Sequence, residues 1–414
     1  MDIPKFKDVI QKLNVFKSYS SLLVPAVIGL VSVLLFIPTQ LMSNKLKKQI
    51  ADTSISKGKQ VKSLSISAVT LEQWKEEQKY QQAYERDANL MALSARQSSQ
   101  RQLLSYKIFP EPKDTSMLIF EEFGRRYREG IEELIGRVNG RDCPTEAELQ
   151  RSLQSSSGSR PGRRRAHWRM REVDAAITDI LCREKAESAS VYANPVDLGG
   201  YEFWGKGEDK SGKVEKFEYA GMEEAVKDCW YWQLGYWITE DVIDTIGSVN
   251  SGSNSVFTSP AKRLLSVSFT RRDQMSRSRE KSAGNRPSYV FSIEDGLTES
   301  CTGRFSNDDI DVVHFNVTVV VSIKAVLPFI QQLCSVKEHK FRGFFGVEQE
   351  QVSKHNQITV LESQITPVYR EDETHELYRY GEDAVVELDL ICEYIFNKSY
   401  DEVKPEVVKK EHKP

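Results

Sequence analysis

The sequence has no C-x-x-C pair, no H-E-x-x-H or H-x-x-x-H and no G-x-S-x-G. Its six cysteines, Cys143, Cys182, Cys229, Cys301, Cys334 and Cys392, are scattered singly, which speaks against a zinc site. One or two disulfides are compatible with an exported body, but spacing does not set a pairing. The histidines His167, His314, His339, His355, His375 and His412 share no metal-ligand spacing, and His314 reads as one polar residue on a strand face. Charge of one sign is not in excess: 57 basic residues face 60 acidic ones, a net charge of −3, so nucleic acid is not indicated as a partner. Asp308, Asp309 and Asp311, and the run Glu371, Asp372 and Glu373, sit in loop-like sequence and read as solvation. Gly207-Glu-Asp-Lys-Ser-Gly212-Lys213-Val214 comes near a phosphate loop, but Val214 stands where a hydroxyl must ligate Mg²⁺. It reads as a turn between short strands. No catalytic, cofactor-binding or metal-ligating residue is assigned, and the expectation is a non-enzymatic chain with no cofactor and no small-molecule substrate.

Long apolar runs are missing as well, with one exception. From Ser18 to Asn44 there are 27 residues without a charge. Residues 22–42 are rich in Leu, Val and Ile, and at ~1.5 Å per residue they reach ~31 Å, the thickness of a bilayer's hydrocarbon core. Lys5, Lys7, Lys12 and Lys17 precede the run, as in a signal peptide. The run is longer than a signal's apolar region and no small-residue cleavage site follows it. Lys45, Lys47 and Lys48 instead give a stop-transfer flank. The reading is an uncleaved anchor, with residues 1–18 a cytoplasmic tail and 19–43 a transmembrane helix. Lysines lie on both sides, so flanking charge leaves the orientation open.

Apolar residues make up 39% of the chain, low for one compact domain of this length, which predicts one folded core plus a stalk and loose segments. Residues 44–138 read as a helical stalk. Thr70-Leu71-Glu72-Gln73 is a capping box. Leu71, Trp74, Tyr84, Leu90, Leu93 and Leu103 give an incomplete apolar stripe, a weakly self-associating coiled-coil seam at most. Pro110 and Pro112 end that helix and Asp114 is placed to cap the next. In it Phe120, Phe123, Tyr127, Ile131, Leu134 and Val138 share a face. Residues 139–170 lose periodicity and carry a basic Ser/Arg/Gly run at 155–165, a flexible linker.

An α+β body over 171–396 follows. Val173, Ala176, Ile177, Ile180 and Leu181 mark one helix; Val226, Trp230, Leu234, Trp237 and Val242 mark another over roughly 222–246. The cluster Trp230, Tyr231, Trp232, Tyr236 and Trp237 reads as core or interface. Leu265, Val267 and Phe269 alternate as a strand. Residues 271–310 read as a long loop. Val313, Phe315, Val317, Val319 and Val321 share one strand face, with Asn316 and Thr318 on a face polar enough to meet water. Ala325, Phe329, Ile330 and Leu333 are spaced as a helix. A strand at 340–348 and hairpin material at 358–368 come next. Val386, Leu388, Leu390, Cys392, Tyr394 and Phe396 form the closing strand. The apolar periods predict that 172–396 folds without the stalk, and the Lys/Glu/Pro-rich tail 397–414 reads as disordered. Helix–strand units repeated on one antiparallel sheet predict a ferredoxin-like (αββ/αβ repeat) layout with long loop insertions, its sheet edges left for a partner.

This order of elements resembles PilO, the inner-membrane assembly protein of type IV pili, and its type II secretion counterpart GspM. The resemblance rests on residues 313–333, a strand running into an amphipathic helix, and on Tyr378-Arg379-Tyr380-Gly381 leading into 385–396. It implies a single-pass protein of the inner membrane with most of the chain in the periplasm. It further implies a dimerising scaffold that pairs with itself or with a PilN-like membrane protein to align parts of the machine. The alternative reading is a membrane-anchored periplasmic ligand-binding or sensor domain.

Overall fold

The computed structural model describes residues 20–66, 70–157, 167–205, 219, 221–270, 286–291 and 302–411. The chain divides into two compact units, Met1–Asp87 and Ala88–Pro414, and the boundary falls inside a helix. The expected cytoplasmic tail, the phosphate-loop look-alike, most of the basic run, His412 and Cys301 lie outside the described residues.

The first unit is helical. Helix α1 (Ser20–Gln49) passes through a π-helical stretch, Ile50–Ile55, into α2 (Ser56–Ile66). Val24–Ser65 contains an 18-residue window of mean hydropathy 2.1, long and apolar enough to cross a membrane, and 0% of that window is buried. Pro25 and Pro38 sit inside α1, where Ser32 Oγ donates to the Ile28 carbonyl at 2.7 Å and Thr39 Oγ1 to the Leu35 carbonyl at 2.5 Å. The helix continues through Gly58, because one glycine costs a helix only ~1 kcal/mol. The capping box forms: Thr70 N–H donates to Gln73 Oε1 at 3.0 Å and Gln73 N–H to Thr70 Oγ1 at 3.3 Å. It opens α3 (Leu71–Ser98), whose Leu71, Trp74, Tyr84, Leu90 and Leu93 are exposed.

The second unit is mixed α+β. Its elements are α4 (Leu118–Arg137), β1 (Gly140–Arg141), α5 (Glu146–Ser157), α6 (His167–Ser188), β2 (Val191–Ala193), α7 (Met222–Val249), β3 (Ala261–Ser268), β4 (Ile310–Ser322), α8 (Val326–Leu333), β5 (Lys337–Phe341), β6 (Gln351–His355), β7 (Ile358–Pro367), β8 (Val385–Asn397) and α9 (Glu406–Glu411). Six strands form one mixed sheet in the order β1-β2-β3-β4-β8-β7, and β5 pairs with β6 apart from it. The β1–β2 and β2–β3 pairs are parallel, whereas β3, β4, β8 and β7 are antiparallel throughout. The central register sets Val313 opposite Tyr394, Val317 opposite Leu390 and Val321 opposite Val386. These side chains face a core closed by Trp230, Leu234 and Trp237 of α7 and Phe329 of α8. The aromatic cluster is therefore core: the Phe109 and Trp230 rings meet edge to face at 5.3 Å, as do Trp230 and Trp237 at 6.0 Å.

Several expectations are corrected. Helix α4 belongs to this core rather than to a stalk: Phe120, Phe123, Tyr127, Ile131 and Leu134 are buried, as are Ile108 and Phe109 before it. Glycines let it dock closely. A Cβ at Gly124 would lie 2.4 Å from Trp204 Cε3, and one at Gly130 2.8 Å from Tyr236 Cε2. Asp114 does not cap α4; it accepts from the Ser116 N–H in the preceding turn. The stretch expected as a linker holds α5 and the start of α6. A second capping box explains α5: Thr145 N–H donates to Glu148 Oε2 at 2.8 Å and Glu148 N–H to Thr145 Oγ1 at 3.3 Å. The tail is ordered as a 3-10 turn, Lys398–Glu402, and α9, because Tyr400, Val403 and Val408 are buried. The strand expected at 340–348 is β5, ending at Phe341, and 358–368 is one strand rather than a hairpin. The second sheet face does not meet water at its centre: His314, Asn316, Thr318 and Glu393 are buried. Glu393 there accepts from Arg304 Nε at 2.6 Å, and Asn316 Nδ2 donates to Asp389. Glu387 and Asp389 are half-buried.

Candidate functional site

Immediately after α3 the chain enters the body, and Arg101 is buried there. Its guanidinium reaches two consecutive carboxylates of α7. Nη1 donates to Asp241 Oδ2 at 2.9 Å, and Nη2 to Asp241 Oδ1 at 3.0 Å and Glu240 Oε2 at 2.8 Å. Nη1 also donates to the Tyr394 hydroxyl of β8 at 2.7 Å, and that hydroxyl donates to Asp241 Oδ2 at 2.6 Å. The geometry is the two-pronged one that makes an arginine–carboxylate pair strong and directional. Burial alone would push the Asp241 carboxyl up, but the Arg101 charge and His355, whose Nε2 is 3.3 Å away, hold it well below the usual carboxylate range. The His339 ring lies 5.0 Å from that of His355, and its Nε2–H donates to the Gln100 carbonyl at 2.9 Å. Burial and the Arg101 charge push His339 down to about 3, so it is neutral at pH 7.

Above this node lies a cleft of about 1010 Å³, bounded by α4, α7, β5 and the 101–106 segment. Charges of both signs line it, among them Arg126, Glu133, Arg137, Asp244 and Lys340. Its cations are engaged within the chain. Arg126 donates to the Leu104 carbonyl at 3.1 Å, Arg137 to Glu240 at 3.2 Å, and Lys340 pairs with Glu350 at 2.8 Å. Burial, partly offset by Arg137, raises Asp244 to about 6. The arrangement is that of an ion clamp: it fixes the first residues after α3 to α7 and β8 and leaves a polar cleft over the junction.

A second clamp holds the C-terminus. Asp311, expected as loop solvation, is buried at the start of β4 and accepts from Lys398 Nζ at 2.5 Å, from Lys404 Nζ and from the Tyr400 hydroxyl. Burial would raise its carboxyl, but Lys404 and Lys398 keep it lowered, while burial brings Lys404 down to about 8 against the pull of Asp311. Lys404 Nζ also sits 4.5 Å from the centre of the Tyr289 ring.

The remaining candidates fall in separate places. His314 lies beside Glu393 on the second sheet face, His375 bonds Tyr380 at 2.8 Å, and Asp308, Asp309 and the 371–373 acids are exposed. Among the described residues no group of three or more His, Cys, Asp or Glu is placed to hold a metal ion. Arg101 carries no sequence signal, standing in a Ser/Gln-rich run. Asp241 does carry one, a carboxylate among apolar residues of a helix, which must be paired if buried. No family model, no curated protein and no solved structure matches this chain.

Proposed function

We propose that this chain is a single-pass membrane scaffold of the PilO-like kind. It would sit in an inner membrane through its N-terminal helix, with its body in the periplasm, and align the parts of a type IV pilus or type II secretion machine by binding itself and a PilN-like partner. One observation carries the reading: an apolar helix of bilayer length with 0% of its apolar window buried, whereas the apolar helices α7 and α8 are packed into a core. Surface of that kind needs lipid or a partner to cover it. The order of the four antiparallel strands supports the ferredoxin-like part of the reading. β4 leads through α8 to β7 with β8 between them, a split β-α-β unit, and α7 and α8 contribute to the same core.

The test is topology. A reporter fused after Pro414 that is active only when exported should be active, and a cytoplasmic C-terminus sinks the proposal. Co-purification with a PilN-like protein encoded beside it would identify the machine. The cleft over Arg101 is what favours the second reading, a membrane-anchored ligand-binding domain; ligand-induced protection of Tyr236 and Tyr106 from solvent exchange would select it.

A further inference from the structure

Two thiols far apart in sequence, Cys143 and Cys182, come together around one tyrosine pair. Asn139 Nδ2 donates to the Ser188 carbonyl at 3.1 Å, and Lys185 Nζ pairs with Glu148 at 2.9 Å. These contacts lay residues 139–148 along the last turns of α6, with Cys143 between them. Cys182 follows Asp179 by three residues and precedes the buried Ala186 by four, so it shares their face of the helix. That face receives Tyr378 and Arg379. Arg379 Nε donates to Asp179 Oδ1 at 2.8 Å, and the Tyr378 hydroxyl donates to Asp142 Oδ1 at 2.8 Å. The Tyr378 hydroxyl also meets the Cys143 thiol, and Cys182 is within electrostatic reach of the Tyr192 hydroxyl. The Tyr192 and Tyr378 rings themselves cross edge to face at 5.0 Å. Both cysteines are unbonded in the structure; Cys143 is half-buried and Cys182 fully buried. Burial pushes the Cys182 thiol up, Arg379 opposes this, and the nearness of Cys143 adds to it.

We propose that Cys143 and Cys182 are a disulfide pair, closed when the body is exported. The compartment rests on the periplasmic reading; the pairing rests on the fold alone. A protein disulfide of that compartment is the oxidant, acting by thiol–disulfide exchange. Cys143, the more accessible thiol, attacks it and forms a mixed disulfide. Cys182, behind it, attacks the Cys143 sulfur and displaces the donor's. Both hydrogens and both electrons end on the donor, whose disulfide becomes a dithiol. Burial raises both thiols, and a thiol raised in this way is a poor redox sensor. The bond is therefore structural and forms as the body folds. It ties the turn before α5 to α6, beside the Tyr378–Arg379 segment, and restricts the unfolded chain by closing the loop that carries α5.

The test uses the full chain, extracted from membranes into detergent with N-ethylmaleimide present and no reductant. Peptide mass mapping should find Cys143 joined to Cys182 and neither thiol labelled. A second arm reduces the folded chain and re-oxidises it with glutathione disulfide. The same pair should close, because a disulfide forms without backbone movement only where the Cα atoms lie within roughly 7 Å. Reduction should lower the melting temperature of the linked chain by several degrees. Cys143→Ser and Cys182→Ala should each abolish the link and that response to reductant. Failure of the folded chain to link these two in the second arm, or a link from either to another cysteine, overturns the pairing wherever the C-terminus lies. An exported chain that carries both thiols free overturns it too. A cytoplasmic C-terminus together with the link in the second arm sinks the scaffold reading and supports the pairing.

Discussion

Arg101 and Asp241 illustrate how costly a half-pair is. Together they satisfy each other in a site closed to water; apart, either is an uncompensated buried charge. Breaking such a pair by removing one partner costs about 3–5 kcal/mol, against about 0–1 kcal/mol for an exposed pair. Arg101→Ala should therefore destabilise the body by roughly 3–5 kcal/mol in urea unfolding followed by tryptophan fluorescence. Arg125→Ala, which removes an exposed pair with Glu129 at 2.7 Å, should shift the midpoint hardly at all. Equal effects would mean that Arg101 is not a clamp. The pH dependence follows from the same groups. Asp241 and Asp311 are both held below their ordinary value in the folded chain. The stability they contribute is complete above the unfolded carboxylate pKa of about 3.9 and is lost as pH falls through the lower folded values. Their loss should accordingly lower the melting temperature below about pH 4, whereas between pH 7 and 5 a fall from His339, which stays neutral while the unfolded imidazole protonates, is opposed by a gain from Asp244 as it takes up a proton. Asp241→Asn should be less stable at pH 7 and should flatten that drop; an unchanged slope would assign it to other groups.

Elements with strong internal periods were legible from the sequence, and their allegiances were not. β4, β8 and α7 lie where alternation and helical spacing put them, because each buries a near-continuous apolar face. The apolar face of α4 was equally plain, but a stripe does not say what it packs on, and position near the stalk misplaced it. The tail's order has no local signal because its four large apolar residues, Tyr400, Val403, Val407 and Val408, are too few to show a period among lysines and glutamates. The clamps were invisible for a simpler reason. Arg101 finds its partners 140 and 293 residues away, and Asp311 finds Lys398 and Lys404 at 87 and 93 residues. No local pattern encodes that. Two element-scale predictions follow from the corrections. A fragment of 172–396 lacks α4, Arg101 and the C-terminal clamp, so it should fail to unfold cooperatively in a thermal melt, whereas 88–414 should do so. In α4, Gly124→Ala forces a methyl against the Trp204 ring and should cost about 1–3 kcal/mol, read by the same urea titration. Gly136→Ala, with open space at its Cβ, should cost nothing or stabilise the helix. Indistinguishable midpoints for the two would refute the close docking of α4.

For the molecule as a whole, the anchor and the body are different solutions to one problem, where to put apolar surface. The body folds its own away beneath α7 and α8. The apolar window of the N-terminal helix is 0% buried among the described residues. Thirteen Leu, Ile, Val and Phe residues over 22–42, at ~0.3–0.6 kcal/mol each near a bilayer's centre, favour insertion by roughly 4–8 kcal/mol before the two prolines, Ser32, Thr39 and Gln40 are counted. That gain comes from lipid and owes nothing to the body's packing. Deleting residues 1–66 should consequently move the protein from the membrane pellet to the soluble fraction in carbonate extraction. It should leave the body's melting temperature within about 1 °C of the full chain's, since a difference of 1 kcal/mol would already show as a shift of ~2–4 °C in a domain somewhat smaller than this. A shift of several degrees would show that the anchor helix stabilises the body directly. Persistence in the pellet would place a second membrane contact on residues 67–414, and the N-terminal helix would no longer suffice as the account of how this chain meets a bilayer.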